Sequence, residues 1–134
     1  MKENTLVIIK PDGIKRKLVG RILQRFEDKQ LDIVKMSFTS LTESDLKEHY
    51  QHLVKESFFP DLLAYMLSGP VILLVFEGEN AVSKVRKMVG STDPLEAQAG
   101  TIRADFALNK TKNLIHASDS TDSAWTEINY FFNR

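Results

Sequence analysis

Six consecutive apolar residues, Val71 to Phe76, constrain the fold of this chain more than any other segment. A Ser68-Gly69-Pro70 break precedes the run, which is far shorter than the roughly 20 apolar residues of a membrane-spanning helix. A short apolar run between turn residues is typical of a strand that is buried on both faces. We therefore predict a central strand of a sheet at this position.

Weaker patterns on either side of this run predict the remaining elements. Val34, Met36 and Phe38 alternate with polar residues, which indicates a strand with one buried face. In chain order we predict a strand at 6–9, a turn at 11–13, a helix at 20–29, a strand at 34–38, helices after Thr42 and Pro60, the strand at 71–76, a helix capped by Asn80 and closed by Gly90, a strand at 114–117 and a last helix that contains 124–131. Residues 91–113 show little periodicity, and a connection of this length inside one domain usually has a function.

Two helix starts are visible in more detail. Thr42, followed three residues later by Asp45, resembles a helix N-terminus, and Pro60 suits the first turn of another helix. The side chains that we expect to face the core from these two helices are Leu46, Tyr50 and Leu53, and then Leu62, Leu63, Met66 and Leu67.

The order of the elements predicts an α+β fold. Distributing the helices around four strands gives a βαββαβ core, a sandwich of a four-stranded antiparallel sheet and the helices packed on it. The length of 134 residues fits one domain, and we expect a single domain over 1–134.

Composition excludes several classes of function. Lys plus Arg and Asp plus Glu both number 18, so the chain has no net charge and we expect no dedicated nucleic-acid binding. Cysteine is absent, which excludes disulfides, thiolate zinc sites and cysteine nucleophiles and fits a reducing compartment. The first residues are too poor in apolar side chains for a signal peptide. We expect a cytoplasmic protein that does not bind membranes.

Phosphate-loop and dinucleotide-binding signatures are absent, and the three histidines show no His-x-x-x-His metal spacing. His49 and His52 fall on a predicted helix with no third ligand near in sequence, and we interpret them as solvated surface rather than as a metal site. His116 lies where an apolar strand ends and a polar Ser-Asp-Ser turn begins. A neutral imidazole is a nucleophile near pH 7, although a histidine satisfied by local hydrogen bonds is the more common case for such a residue taken alone.

Cations and one hydroxyl extend the set of candidates. Lys10, Arg86 and Arg103 are able to bind phosphate oxygens, and Thr92 adds a further donor. Each cation, taken singly, is more often a surface residue or an ion-pair partner.

Three aromatic residues are also candidates. Phe58 and Phe59 are adjacent at a helix start, where one ring is expected in the core and an exposed ring could stack on a nucleobase. Tyr50 shares a helical face with Leu46, so a core position is its default interpretation.

Four motifs, taken together, resemble the nucleoside diphosphate kinase family. The most specific is Asn-Leu-Ile-His-Ala-Ser-Asp-Ser at 113–120, which is similar to the family signature N-x-x-H-G-S-D. The supporting motifs are Ile-Lys-Pro-Asp-Gly at 9–13, Ser-Gly-Pro-Val at 68–71 and Gly-Thr-Ile-Arg-Ala-Asp-Phe at 100–106. Their order and spacing match over almost the whole chain. The short segment after Phe131 is a pattern of bacterial members.

The resemblance implies a ferredoxin-like α+β fold and a ping-pong reaction. The γ-phosphoryl group of a nucleoside triphosphate such as ATP would pass to a histidine and then to a nucleoside diphosphate. The catalytic residues implied are His116 as the nucleophile that is phosphorylated on Nδ1, Ser118 and Glu127 as the residues that orient it, Tyr50 beside the site and Lys10 near the transferred group. The nucleotide ligands implied are Arg86, Thr92 and Arg103 for the phosphates, Lys10 and Asn113 for the sugar, and Phe58 for the base. The implied cofactor is Mg²⁺, carried by the nucleotide phosphates without a protein ligand.

Two positions depart from the family pattern. Ala117 replaces the usual glycine after the histidine, and Lys110 stands where a small apolar residue often covers the second face of the base. The resemblance also implies a homo-oligomer, a tetramer or a hexamer, between which the sequence does not choose.

Two other functions stay open at this point. The chain could be a catalytically weak nucleotide-binding or regulatory module on the same fold, since a fold alone does not fix a function. It could also be a phosphotransfer partner that uses the same histidine on a protein acceptor. The complete set of matched residues favours the kinase.

Overall fold

A computed structural model describes residues 2–133 and confirms the predicted fold class. Its four-stranded antiparallel sheet comprises β1 (Lys2–Ile9), β2 (Asp32–Thr39), β3 (Val71–Glu79) and β4 (Ile115–Ala117), in the order β2-β3-β1-β4. The helices are α1 (Pro11–Lys15), α2 (Val19–Asp28), α3 (Glu43–His49), α4 (Phe59–Met66), α5 (Ala81–Val89), α6 (Ile102–Phe106) and α7 (Thr121–Phe132), with a 3₁₀ turn at Gln51–Leu53. The first and last residues of the predicted domain, 1 and 134, lie outside the described residues.

The apolar run in β3 is explained by a core on each face of the sheet. Successive side chains of a strand point to opposite faces. Leu74 and Phe76 pack with the layer that contains α2 and α5. The ring centroids of Phe76 and Phe26 are 4.7 Å apart there. Leu73 and Val75 pack with the opposite layer, which contains α3, α4 and α7. The six apolar residues 71–76 are therefore all buried, and the prediction of a central strand is confirmed.

The prediction of a buried face on β2 is wrong. This strand lies at the edge of the sheet, and Phe38, the largest of its apolar side chains, is 65% exposed. The pairing with β3 is also irregular between Ile33 and Lys35. Alternation of polar and apolar residues identifies a strand with two unlike faces, but it does not say that another element of the same chain covers one of them. Here none of the described residues buries the apolar face.

Helix ends follow local sequence rules in some places and distant residues in others. Thr42 and Asp45 form the capping box of α3, in which each side chain accepts a hydrogen bond from the other residue's backbone N–H. Asn80 precedes α5 as predicted, but its side chain makes no capping bond. The carboxylate of Glu3 accepts the hydrogen bond from Val82 N instead, at 3.1 Å.

Three smaller differences from the predicted elements concern their bounds. The turn predicted at 11–13 is the start of the short helix α1, which begins at a proline, a residue suited to a first helical turn. Leu67, expected in the core, caps the C-terminus of α4 and is exposed because the helix has already ended. The 91–113 connection contains α6.

None of the described helices is both long enough and apolar enough to cross a membrane.

Pairing of the first and last strands brings two distant motifs together. Ile8 pairs with His116, and Lys10 N donates a hydrogen bond to Leu114 O at 2.8 Å. Leu114 has a φ of +75°, which is uncommon for a residue with a side chain and marks a constrained backbone just before β4. This end of the sheet, with α7 packed across β1, positions the candidate site.

Candidate active site

Nine of the ten predicted site residues line a single pocket of about 950 Å³. They come from α5, the 91–113 segment, β4, α7 and the residues that directly follow β1 and α3 or precede α4, so only the folded chain assembles them. The nine are Lys10, Tyr50, Phe58, Arg86, Thr92, Arg103, Asn113, His116 and Glu127. The tenth, Ser118, is fully buried directly behind the pocket wall.

His116 is held by a carboxylate that is itself held by a hydroxyl. His116 Nε2 lies 3.0 Å from Glu127 Oε1, and the Oγ of Ser118 donates a hydrogen bond to the same oxygen at 2.6 Å. Leu6 N of β1 donates to Ser118 Oγ at 3.2 Å, which fixes the hydroxyl. Because Glu127 accepts at Nε2, the imidazole carries its proton there and presents an unprotonated Nδ1. This arrangement orients the ring and leaves one nitrogen available as a nucleophile.

Lys10 is a buried cation inside the pocket. Its Nζ donates a hydrogen bond to Asn113 Oδ1 at 2.8 Å, and this contact joins the first strand to the loop before β4. Burial, followed by the charge of Arg103, lowers the pKa of Lys10 to about 7, whereas the charge of Asp12 opposes the shift. A lysine in this state gains a full charge most readily when an anion enters the pocket.

The guanidinium of Arg103 is held by hydrogen bonds to the backbone around it. Its guanidinium donates to Asn113 O, Gly90 O and Ile115 O, at 3.4, 2.9 and 2.5 Å. Burial, followed by the charge of Arg86, lowers the pKa of Arg103 to about 10. Arg103 therefore braces the loops of the pocket and adds positive charge to it.

Arg86 and Thr92 complete the cationic side of the pocket. Arg86 Nη1 donates a hydrogen bond to Ala117 O at 3.2 Å, which places the guanidinium one residue from His116. Thr92 is exposed on the pocket wall, near the start of the loop that follows α5.

The aromatic residues divide as the sequence predicts. Phe59 is buried in the core, whereas Phe58 is 47% exposed and lines the pocket, so its ring is free to stack. Tyr50 is buried, but its hydroxyl has no hydrogen-bond partner among the described residues, and burial raises its pKa. A ligand atom in the pocket would satisfy such a buried hydroxyl with a hydrogen bond.

The interpretation of His49 as a solvated surface residue is wrong. Its side chain is only 2% exposed, and its ring lies edge-on to that of His116 with 4.5 Å between centroids. Burial lowers its pKa to about 2, with further contributions from His116, Lys10 and His52, so the ring is neutral. The sequence did carry a signal, because residues at 46, 49, 50 and 53 form one helical stripe with the apolar residues predicted there.

Asp119 is a second pocket residue that the sequence argument did not single out. Hydrogen bonding to Ser123 lowers its pKa, and Arg86 and His116 act in the same direction. It adds a carboxylate at the mouth of the pocket.

Both departures from the family pattern are accommodated. Ala117 is buried and pairs with Val7 in the sheet, so its methyl group has a place in the core. Lys110 lines the pocket with an exposed side chain, and its Nζ lies 3.9 Å from Asp93 Oδ2.

Comparisons with known proteins agree with this geometry. A family model described as "Nucleoside diphosphate kinase" matches residues 3–134. A nucleoside diphosphate kinase of Methanocaldococcus jannaschii is 50% identical over 132 residues, which cover 98% of this chain and 94% of the relative. A nucleoside diphosphate kinase of Methanocorpusculum labreanum is 52% identical over 130 residues, which cover 97% of this chain and 87% of the relative.

Solved structures give the same result. A nucleoside diphosphate kinase of Encephalitozoon cuniculi superimposes with a TM-score of 0.96 at 41% identity, covering 98% of this chain and 90% of that one. One from Halobacterium salinarum, solved in complex with CDP, gives a TM-score of 0.96 at 40% identity, covering 100% of this chain and 90% of that one. Fold, pocket and relatives define a nucleotide-binding phosphotransferase. The chain belongs to the nucleoside diphosphate kinase family.

Proposed function

We propose that this kinase transfers the γ-phosphoryl group of a nucleoside triphosphate such as ATP to a nucleoside diphosphate through a phosphohistidine on His116. The observation that carries the proposal is the Ser118–Glu127–His116 chain of hydrogen bonds, of 2.6 and 3.0 Å, at the wall of a cationic pocket. It gives an imidazole a fixed tautomer and a free nitrogen, as nucleophilic catalysis requires.

In the first half-reaction, the lone pair of His116 Nδ1 forms a bond to the γ-phosphorus. The bond between that phosphorus and the β–γ bridging oxygen breaks, and the nucleoside diphosphate leaves with the electron pair. Glu127, which accepts the hydrogen bond from Nε2–H, stabilises the positive charge that develops on the ring. In the second half-reaction, a terminal oxygen of another nucleoside diphosphate attacks the phosphorus, and His116 is released unchanged.

Positive charge around the phosphates supports this step, since phosphoryl transfer depends mainly on positioning and on charge neutralisation. Lys10, Arg86 and Arg103 would contact phosphate oxygens, and Thr92 would donate a hydrogen bond. Arg103 also braces the loops of the pocket through its bonds to backbone carbonyl groups.

Mg²⁺ is the proposed divalent ion, and the nucleotide phosphates would hold it. Magnesium prefers oxygen ligands. Among residues 2–133, the cluster of three potential metal ligands contains two imidazoles and one carboxylate, so it is not a magnesium site. When bound, Mg²⁺ neutralises charge on the transferred phosphates.

The proposed nucleotide contacts read no base edge. Phe58 would stack on the base, while Lys10 and Asn113 would contact the sugar. Stacking tolerates every base, so one pocket serves purine and pyrimidine nucleotides in turn.

Three further predictions from the sequence belong to this proposal. We propose that residues 1–134 form one kinase domain in the cytoplasm. We also propose that the chain forms a homo-oligomer, and the exposed apolar side chains of β2 support an assembly surface.

The test is the intact mass of the protein after incubation with Mg-ATP, before and after a nucleoside diphosphate is added. We expect one acid-labile phosphoryl group, which every nucleoside diphosphate discharges and which His116→Ala lacks. His52→Ala, a change at an exposed histidine that borders the same pocket, is the matched control and should be phosphorylated normally.

Each other outcome selects a different function. Nucleotide binding without a phosphoryl group would favour the weak or regulatory module. A phosphoprotein that nucleoside diphosphates do not discharge would favour transfer to a protein acceptor.

A further inference from the structure

The side chain of His49 is buried at the pocket, and the proposed phosphoryl transfer gives it no role. Its Nε2 has no hydrogen-bond partner among the described residues. Its Nδ1 lies 3.9 Å from Glu127 Oε2, which is beyond hydrogen-bond distance. A buried nitrogen without a partner is unfavourable, and Nδ1, the nitrogen that faces Glu127, is open to a ligand from the pocket.

Three side chains from three elements converge at this point. His49 ends α3, His116 lies in β4, and Glu127 lies in α7. Each offers one ligand atom, and the three atoms lie within 4.8 Å of one another. The donors of a tetrahedral zinc ion lie about 2.0–2.2 Å from the metal and therefore about 3.4 Å from one another. Shifts of about an ångström in the three ligand atoms would bring them to these distances around one ion.

The chemistry of these donors selects the kind of metal. Two imidazoles and one carboxylate suit Zn²⁺ and similar late first-row ions, whereas Mg²⁺ and Ca²⁺ prefer oxygen ligands. An accessible zinc site has three protein ligands and a fourth position that is open to a pocket. His116 and Glu127 are both partly exposed, so an ion can reach them from solvent.

The surroundings of Glu127 also fit a metal ligand. Ser118 donates its hydrogen bond to Oε1, which leaves Oε2 on the side of His49. A carboxylate oriented by a neighbouring hydroxyl is typical of the groups that support metal ligands. Lys10 and Arg103 bring positive charge to the same pocket, so we expect weaker binding than at a zinc site surrounded by carboxylates.

We propose that His49, His116 and Glu127 form an inhibitory zinc site that competes with phosphorylation of His116. Zinc at either ring nitrogen of His116 removes the nucleophilic lone pair, because binding at Nε2 moves the ring proton to Nδ1. Zinc also occupies the carboxylate that would stabilise the phosphohistidine. The inhibitory part of this inference rests on the proposed function, whereas the binding part does not.

The binding test uses metal-free protein and zinc chloride without nucleotide, in a calorimetric titration. We expect one zinc ion per chain. Cobalt(II) chloride serves as a spectroscopic probe, because four-coordinate cobalt absorbs strongly in the visible range. His49→Phe keeps a ring of similar size without a ligand nitrogen, and it should lower the zinc affinity by about tenfold or more. His52→Ala, which removes the exposed histidine of the next turn, should leave the affinity unchanged.

The inhibition test measures phosphoryl transfer in excess Mg²⁺ with and without zinc, each variant being compared with its own zinc-free rate. Zinc should inhibit the unsubstituted enzyme and the His52→Ala variant, and a chelator should restore the rate. The His49→Phe enzyme should need about tenfold more zinc for the same inhibition. Circular dichroism checks that it is folded, and His49→Gln provides a second substitution with the same expected direction.

Several results would overturn the inference. It is wrong if zinc does not bind, if binding is lost in His52→Ala but kept in His49→Phe, or if all variants are inhibited alike through zinc–nucleotide complexes. If the phosphoenzyme forms normally and zinc does not bind, the zinc site is contradicted and the proposed function is not. Zinc binding without any phosphoenzyme would instead contradict the proposed function.

Discussion

Lys10 shows how one buried residue couples pH to nucleotide binding. Its pKa is about 7 in the free protein, mainly because of burial, so near and above that pH much of it is neutral. Phosphate oxygens favour the charged form and raise the pKa in the complex. We therefore predict that nucleoside diphosphate binding above pH 7 takes up a proton and that the affinity falls as the pH rises, by up to about tenfold per pH unit.

Calorimetry in two buffers of different ionisation enthalpy measures this proton uptake directly. Lys10→Met should abolish the uptake, and an uptake of the same size in that variant would contradict the assignment to Lys10. The sign for stability follows from the same pKa. Between pH 7 and 10.5 the unfolded chain binds more protons at this position than the folded chain, so the contribution of Lys10 to the free energy of unfolding rises with pH.

At the scale of residues, the sequence predicted the pocket well where chemistry and motif spacing agree. His116, Glu127 and Ser118 lie together as the resemblance implied. The pocket position of His49 was not predicted, because no third ligand lies near His49 and His52 in sequence. The burial of His49 depends on residues that are distant in sequence, and Phe131 of α7 packs against its ring.

At the scale of elements, the junction between α5 and α6 gives a sharp prediction. Gly90 has a φ of +90°, and a Cβ there would lie 2.5 Å from Thr101 Oγ1 and 2.8 Å from Thr101 Cβ. Gly90 O also accepts a hydrogen bond from Arg103. Gly90→Ala should lower the free energy of unfolding by roughly 3–5 kcal/mol and raise the KM for nucleotides, because strain and overlap add and Arg103 shifts.

Gly100 supplies the matched control for this substitution. Its φ is +93°, but a Cβ there would meet nothing within 4 Å. Gly100→Ala should therefore cost only about 1–2 kcal/mol, from the backbone conformation alone. Urea denaturation measures both variants, and equal losses would show that the overlap with Thr101 is relieved without cost.

Elements that depend on local rules were predictable, and those that depend on distant residues were not. The capping box of α3 lies within four residues, so the sequence reveals it. The N-terminus of α5 is capped by Glu3, which is 79 positions away from Val82 in the chain, so no local pattern indicates it. The exposure of β2 likewise follows from its place at the sheet edge, which alternation alone does not report.

At the scale of the whole molecule, β2 is the surface on which assembly can be tested. Met36→Lys and Phe38→Lys change exposed side chains, so each should alter the free energy of unfolding of a single chain by no more than about 0.5 kcal/mol. If β2 forms the subunit contact, both should lower the mass measured by analytical ultracentrifugation. Trp125→Lys, a similar change at a residue of α7 that is 71% exposed, is the control. An unchanged mass for Phe38→Lys would place the contact elsewhere.

The pairing of β1 with β4 has a consequence for how the enzyme comes into being. During synthesis, the first strand leaves the ribosome long before His116 and Glu127. The nucleophile, its carboxylate and the Leu6 contact that fixes Ser118 therefore exist together only after the chain has been synthesised as far as Glu127. A nascent or C-terminally truncated chain carries cations and an aromatic ring but no catalytic histidine in place. Activity therefore requires that synthesis has passed Glu127.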